Sequence, residues 1–262
     1  MWIVDARPRC DERDVKAVLV CFPPSGAGAS CFNGTFAGTL GARGVDVRCV
    51  DVPGRFGSAR KEPWGGTLVD MAREIADEVR CMDFDAPVFY FGHSIGAWLA
   101  YETATRQPPH SAPAKLYTSG VRAPSVAHWL NDLDRTNPRL SLLEGDAFWD
   151  AFNARYGENM HLTSSGTRNA MFSSLVNDFR LSETYEPSAE RVECDIVAIG
   201  TRGDSRYDAH QLGMWRHHTS SAYDERWFVA ANGVSPHRLV VERPDDVAAF
   251  LAQDISDTVL LL

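Results

Sequence analysis

The 262-residue chain reads as an α/β fold with a mainly parallel central sheet flanked by helices. Three observations predict it. Short β-rich apolar runs alternate with longer stretches at helical spacing. The runs are nearly continuous rather than strictly alternating, as strands covered on both faces require. One of them leads directly into Gly92-His93-Ser94-Ile95-Gly96, a glycine-bounded turn that opens a helix.

In chain order, Lys16 to Phe22 is the first expected strand, Val45 to Val52 the second, Pro87 to Phe91 the third and Lys115 to Val121 the fourth. Asp195 to Gly200 and Arg226 to Ala230 complete the series. Leu68, Met71, Ile75 and Val79 fall on one helical face within Thr67 to Arg80. A second helix runs from Ser94 towards Arg106, and Arg243 to Asp254 forms the last. From Ser125 to about Tyr185 there is no strand pattern; Trp129, Leu133, Leu140, Phe148, Trp149 and Phe152 suggest short amphipathic helices. A stretch of about sixty residues is too long for a simple loop. Residues 125–185 are therefore expected to be a helical lid inserted in a core of residues 1–124 and 186–262. A pair of extra packing helices is the plainer alternative.

Composition bounds the function. At 44% apolar and 23% charged, the chain has the balance of an ordinary globular protein. A net charge of −9 argues against nucleic acid as a routine partner, because phosphate binding needs clustered Lys and Arg. It leaves room for a local basic patch on which an acidic protein could dock. The six cysteines are scattered, with no metal-ligand spacing, so neither a metal nor another cofactor is expected. Reduced cysteines in apolar runs point to a reducing compartment. Met1 to Lys16 lacks an apolar leader core, and Thr258 to Leu262 is too short to span a bilayer. A cytoplasmic monomer with no membrane partner is the expectation.

The chemistry centres on Ser94. A Gly-x-Ser-x-Gly turn between a buried strand and a helix is a nucleophile elbow, and it narrows the class to the α/β-hydrolase fold with a helical lid insertion. A serine nucleophile needs a base, and the base needs an orienting carboxylate, in the chain order Ser, acid, His. Of eight histidines only His237 lies between the last strand and the terminal helix. His93 reads as structural, and His217 and His218 as the exposed end of a helix. Asp204 follows the strand Asp195 to Gly200 in a glycine-bounded turn, whereas Asp208 is placed to cap a helix. Arg202 stands near enough in sequence to compete for Asp204. For the oxyanion hole, the N–H of Ile95 is one expected donor, and that of Ser25, in Phe22-Pro23-Pro24-Ser25-Gly26-Ala27-Gly28, is the other, with Gly26 as fallback.

These stretches resemble the type II (editing) thioesterases of polyketide and nonribosomal peptide biosynthesis. Phe22 to Ser30 is similar to that family's Phe-Pro-x-Ala-Gly-Gly loop, and Val52-Pro53-Gly54-Arg55 with Arg60, Glu62 and Pro63 to its Tyr-Pro-Gly-Arg segment. Gly92 to Ala97 resembles its elbow, and Asp178 to Tyr185 the end of its lid. The resemblance implies thioester hydrolysis on the phosphopantetheine arm of an acyl or peptidyl carrier protein. A carboxylesterase, a product-releasing or cyclising enzyme, and an inactive carrier-binding homologue are the alternatives. The chain departs from the family pattern at Ile95, where Met or Leu is usual. It departs again at Ser235-Pro236-His237-Arg238, where Gly-Gly-His-Phe is usual.

Overall fold

A computed structural model describes residues 1–133, 139–159 and 162–262. Seven strands make one sheet: β1 (Ile3–Asp5), β2 (Ala17–Phe22), β3 (Val45–Val50), β4 (Val88–His93), β5 (Lys115–Ser119), β6 (Asp195–Arg202) and β7 (Tyr223–Val229). Their order is β1-β3-β2-β4-β5-β6-β7. Only β1 pairs antiparallel; β2 and β4 run parallel, with Val18 beside Val88 and Phe22 beside Gly92. This is the α/β-hydrolase architecture.

All six residues of β2 are buried, which explains its unbroken apolar run. Successive side chains leave opposite faces. Val18, Val20 and Phe22 pack towards α2 (Leu68–Cys81) and α3 (Ile95–Ala104), among Met71, Ile75 and Trp98. Leu19 and Cys21 pack the other way, with Phe36 of α1 (Thr35–Gly41) and Leu251 and Ile255 of the last helix. Thr67 starts α2 with a capping box shared with Asp70, which satisfies two of the N–H groups a helix start leaves open.

β1 and α1 are among the elements that go beyond the sequence expectation. β1 is a three-residue edge strand; the N–H groups of Ile3 and of Trp2 just before it are held by the Glu78 carboxylate, at 2.9 and 2.7 Å. α1 contains Gly38 and Gly41, poor helix formers, and exists because Phe36, Ala37 and Leu40 are buried. Between residues 125 and 185 the described residues form α4 (Gly145–Tyr156), the 19-residue α5 (Ser165–Glu183) and short helical turns, with no strand. The single long helix differs from the short ones expected. Residues 134–138 and 160–161, His161 among them, lie outside the described residues. The remaining helices are α6 (Ala209–Gly213), α7 (Leu239–Glu242) and α8 (Pro244–Val259).

His217 is exposed, but His218 is buried, which corrects the expectation for that pair. Its ring bonds Tyr101 Oη at 3.2 Å and Ser125 Oγ at 3.0 Å, because the chain turns inward there to bridge Val192 and Thr219. No helix among the described residues is long and apolar enough to cross a membrane.

Candidate active site

The ends of β2, β4, β6 and β7 converge at the C-terminal edge of the sheet, where parallel sheets collect their functional groups. β4 ends at His93 and α3 begins at Ile95, leaving Ser94 as the hinge. Its φ of 56° and ψ of −128° make it the only non-glycine residue with positive φ among the described residues. Such a conformation costs about 1–3 kcal/mol and persists only where the surroundings impose it. Here the Ser94 N–H donates to the Ser119 carbonyl at 2.8 Å, and the Ser94 carbonyl accepts from Ala97 at 2.9 Å. The two glycines are a packing necessity. A Cβ on Gly92 would lie 2.2 Å from the Gly96 carbonyl oxygen, and one on Gly96 would lie 2.1 Å from that of Phe22.

His237 and Asp204 come to this hinge from separate loops. His237 Nε2 is 3.3 Å from Ser94 Oγ, and His237 Nδ1 is 2.9 Å from Asp204 Oδ2. Pro236 opens a short helical turn, the position where its fixed φ fits and its missing N–H costs nothing. Burial pushes the Asp204 carboxyl up, but the facing His237 ring, their hydrogen bond and the Arg206 N–H outweigh it, and the group sits below the usual carboxylate range. An ionised Asp204 accepts from Nδ1, so Nε2 presents its lone pair to the serine hydroxyl. Arg202 does not compete; its guanidinium lies over the Trp227 ring at 4.3 Å. Asp208 caps α6 through a box shared with Gln211.

His93 is structural, and it also braces the site. Its Nε2 donates to the His237 carbonyl at 2.8 Å, so its Nδ1 accepts from the Ser119 hydroxyl at 3.1 Å. Burial, assisted by the nearby His237 ring, holds its pKa down to about 4. Gly120 makes the room, since a Cβ there would meet His93 Cε1 at 2.4 Å.

Of the expected oxyanion donors, Gly26 is occupied: its N–H donates to Asp178 Oδ2 at 2.7 Å. Among the described residues nothing accepts the N–H of Ser25 or of Ile95, and both residues border the space beside Ser94. Ile95 is buried and belongs to the same core cluster as Trp98.

A cavity of about 210 Å³ opens over Ser94 and His237, walled by Phe152, Tyr156, Leu162, Met171, Leu175 and Phe179. A smaller polar space also borders Ser94 and is lined by Arg122, Asp132, Arg155 and Arg206. Both Arg122 and Arg206 pair with Asp132. Arg238 ties the His237 turn to the end of α4, donating to the Tyr156 carbonyl at 2.8 Å. Sequence reasoning read His93 as structural but did not reach its hold on the His237 carbonyl, nor the places of Tyr156, Arg206 and Arg238. Their partners, among them the Asp132 carboxylate, the His237 and Tyr156 carbonyls and the Ser119 hydroxyl, lie far away in the chain and leave no local pattern.

Residues 17–238 match the family model described as Thioesterase domain. The chain is 29% identical over 245 residues to Thioesterase PikA5 of Streptomyces venezuelae, covering 87% of this chain and 83% of that protein. It is 30% identical over 241 residues to a probable cadicidin biosynthesis thioesterase of Streptomyces griseus, covering 90% of this chain but 61% of the relative. The solved structure of the RedJ thioesterase from the prodiginine biosynthetic pathway of Streptomyces coelicolor superposes with a TM-score of 0.77. It covers 97% of this chain and 95% of that one, and at 23% identity it shows the shared fold.

Proposed function

The chain belongs to the thioesterase family and is a serine thioester hydrolase, and from that premise we propose that it cleaves acyl groups from the phosphopantetheine arm of acyl or peptidyl carrier proteins in polyketide or nonribosomal peptide assembly. The observation that carries the reading is the hydrogen-bonded line from Asp204 through His237 to Ser94 at the foot of an apolar cavity.

In this reading His237 takes the proton of Ser94 as its oxygen attacks the thioester carbonyl, and the carbonyl pair moves onto oxygen. The N–H groups of Ser25 and Ile95 hold that oxyanion. The tetrahedral centre collapses, the C–S bond breaks, and the pantetheine thiolate takes the proton from His237. Water, deprotonated by His237, then attacks the acyl-Ser94 ester; the C–O bond to Ser94 breaks, His237 returns its proton to the serine oxygen, and the acid leaves. Asp204 stabilises the imidazolium and fixes its tautomer. Residues 125–185 act as the lid over a core of 1–124 and 186–262, and the apolar cavity receives the acyl chain. The enzyme works as a monomer on its carrier. A cytoplasmic setting accords with six free cysteines, four of them buried.

Intact-mass spectrometry after mixing with a panel of acylated carrier proteins tests the proposal. A mass gain equal to the acyl group on the wild type, absent from Ser94→Ala, is expected, with kcat lowered at least about 10³-fold. Turnover that survives in Ser94→Ala would refute it. A kcat/KM higher for simple p-nitrophenyl esters than for acyl-carriers would make the protein a carboxylesterase instead.

A further inference from the structure

We propose that Asp178 and Arg55 are positioning residues that set the oxyanion-binding loop and couple it to the wall of the acyl cavity. The inference rests on the reading of Ser94 as nucleophile and of Ser25 and Ile95 as oxyanion donors.

Both side chains are almost wholly buried and lie 3.1 Å apart, Arg55 Nη2 to Asp178 Oδ1. Neither spends its remaining capacity on the sheet or on solvent. Asp178 Oδ2 accepts the Gly26 N–H at 2.7 Å, across 152 residues of chain. Arg55 Nη1 donates to the carbonyls of Pro23 and Ala27, at 3.1 and 2.9 Å. The pair thus grips the turn 23–27 at both ends and near its middle. Pro24 has no N–H and a fixed φ, and the Gly26 N–H is consumed. Ser25 therefore carries the free donor in the gripped stretch, and its direction follows from the grip.

A buried ion pair is weak evidence for stability, because desolvation offsets its attraction. A pair whose other hydrogen bonds all go to one loop is better explained by what that loop must hold still. α5 links the grip to the substrate side. Asp178 stands on this helix beside Phe179, and Met171, Leu175 and Phe179 line the cavity. Leu175 touches the loop itself, since a Cβ on Gly26 would lie 2.7 Å from Leu175 Cδ2. Arg180, on the same helix, donates to the Trp64 and Gly66 carbonyls at 2.9 and 3.0 Å, and so fastens α5 near the Arg55 segment. An acyl group that displaces α5 displaces Gly26 and Ser25 with it. Misplacement of a catalytic group by 1 Å is enough to cost about a hundredfold in rate.

The test compares two probes on the full chain. A trifluoromethyl ketone analogue of an acyl-pantetheine is attacked by Ser94 to give a charged hemiketal that needs the oxyanion donors. A thioether analogue of the same length has no carbonyl and reports ground-state binding alone. For Asp178→Ala, ketone affinity and kcat should fall together by about tenfold to a hundredfold, with thioether affinity and KM changed less than about threefold. Asp178→Asn keeps the shape where alanine destabilises the fold. It should show the same selective loss, because the amide cannot satisfy Gly26 and Arg55 together as the carboxylate does. Equal loss of both probes in Asp178→Asn, or ketone affinity unchanged in a folded variant, would overturn the proposal. Ser94→Ala separates the underlying reading: retained ketone adduct there would mean that Ser94 is not the nucleophile.

Discussion

Replacing His93 by glutamine should flatten the acid side of the stability curve. His93 is buried between Ser119 and the His237 carbonyl, and its pKa is held down to about 4 from the ordinary 6.5, first by burial and then by the neighbouring His237 ring. The folded protein therefore refuses a proton that the unfolded chain accepts between pH 6.5 and 4. Where the unfolded state binds more protons, stability falls with falling pH. The contribution is fully present above about pH 6.5, is lost progressively towards pH 4, and levels off below. At about 1.4 kcal/mol per pH unit the whole effect is about 3 kcal/mol, and between pH 7 and pH 5 about 2 kcal/mol. Glutamine can still donate to the His237 carbonyl and accept from Ser119, but it does not titrate. Urea unfolding of both proteins at pH 7, 6 and 5 measures the effect. His218, whose pKa is also down to about 4, is present in both and cancels in the difference. The wild type should lose about 2 kcal/mol more than the variant between pH 7 and pH 5. A gap between the two proteins that stays constant over that range would refute the reasoning.

Asp204→Asn should keep the fold and lower kcat by about 10⁴-fold, because an amide facing Nδ1 favours the wrong imidazole tautomer; the rate of fluorophosphonate labelling at Ser94 reads the same loss. Gly96→Ala should destabilise by about 3 kcal/mol or more, since the added carbon meets the Phe22 carbonyl, a backbone group that cannot swing aside. Denaturant midpoints measure it, and a cost under about 1 kcal/mol would mean that β2 and α3 part more easily than their packing implies.

The three residues proposed as the triad could be picked out because each sits where chain order and strand ends confine the choice. Ser94 lies between β4 and α3, Asp204 follows β6, and His237 follows β7. The five interior strands, β2 to β6, were legible for a related reason, since burial on both faces writes an apolar run into the sequence. β1 was not, because three residues on an edge leave too short a run among charges. α1 was hidden by its glycines, and His218 by the polar stretch around it. From the loop itself Ser25 was put ahead of Gly26 as an oxyanion donor, but the contact that ties up the Gly26 N–H is not written there. That contact comes from a carboxylate 152 residues away.

What the amino-acid order determined alone was local and covalent: which runs become strands, where the chain must turn tightly, and which side chains carry a hydroxyl, an imidazole or a carboxylate. Only the folded molecule decided which groups share a hydrogen bond. It placed His93 under the His237 carbonyl, turned Arg202 onto Trp227, and closed Asp178 and Arg55 around the 23–27 turn. The physical reason is range. Strand and turn preferences act over a few residues, whereas a hydrogen bond acts over about 3 Å, and groups that near in space come from parts of the chain that no local pattern relates.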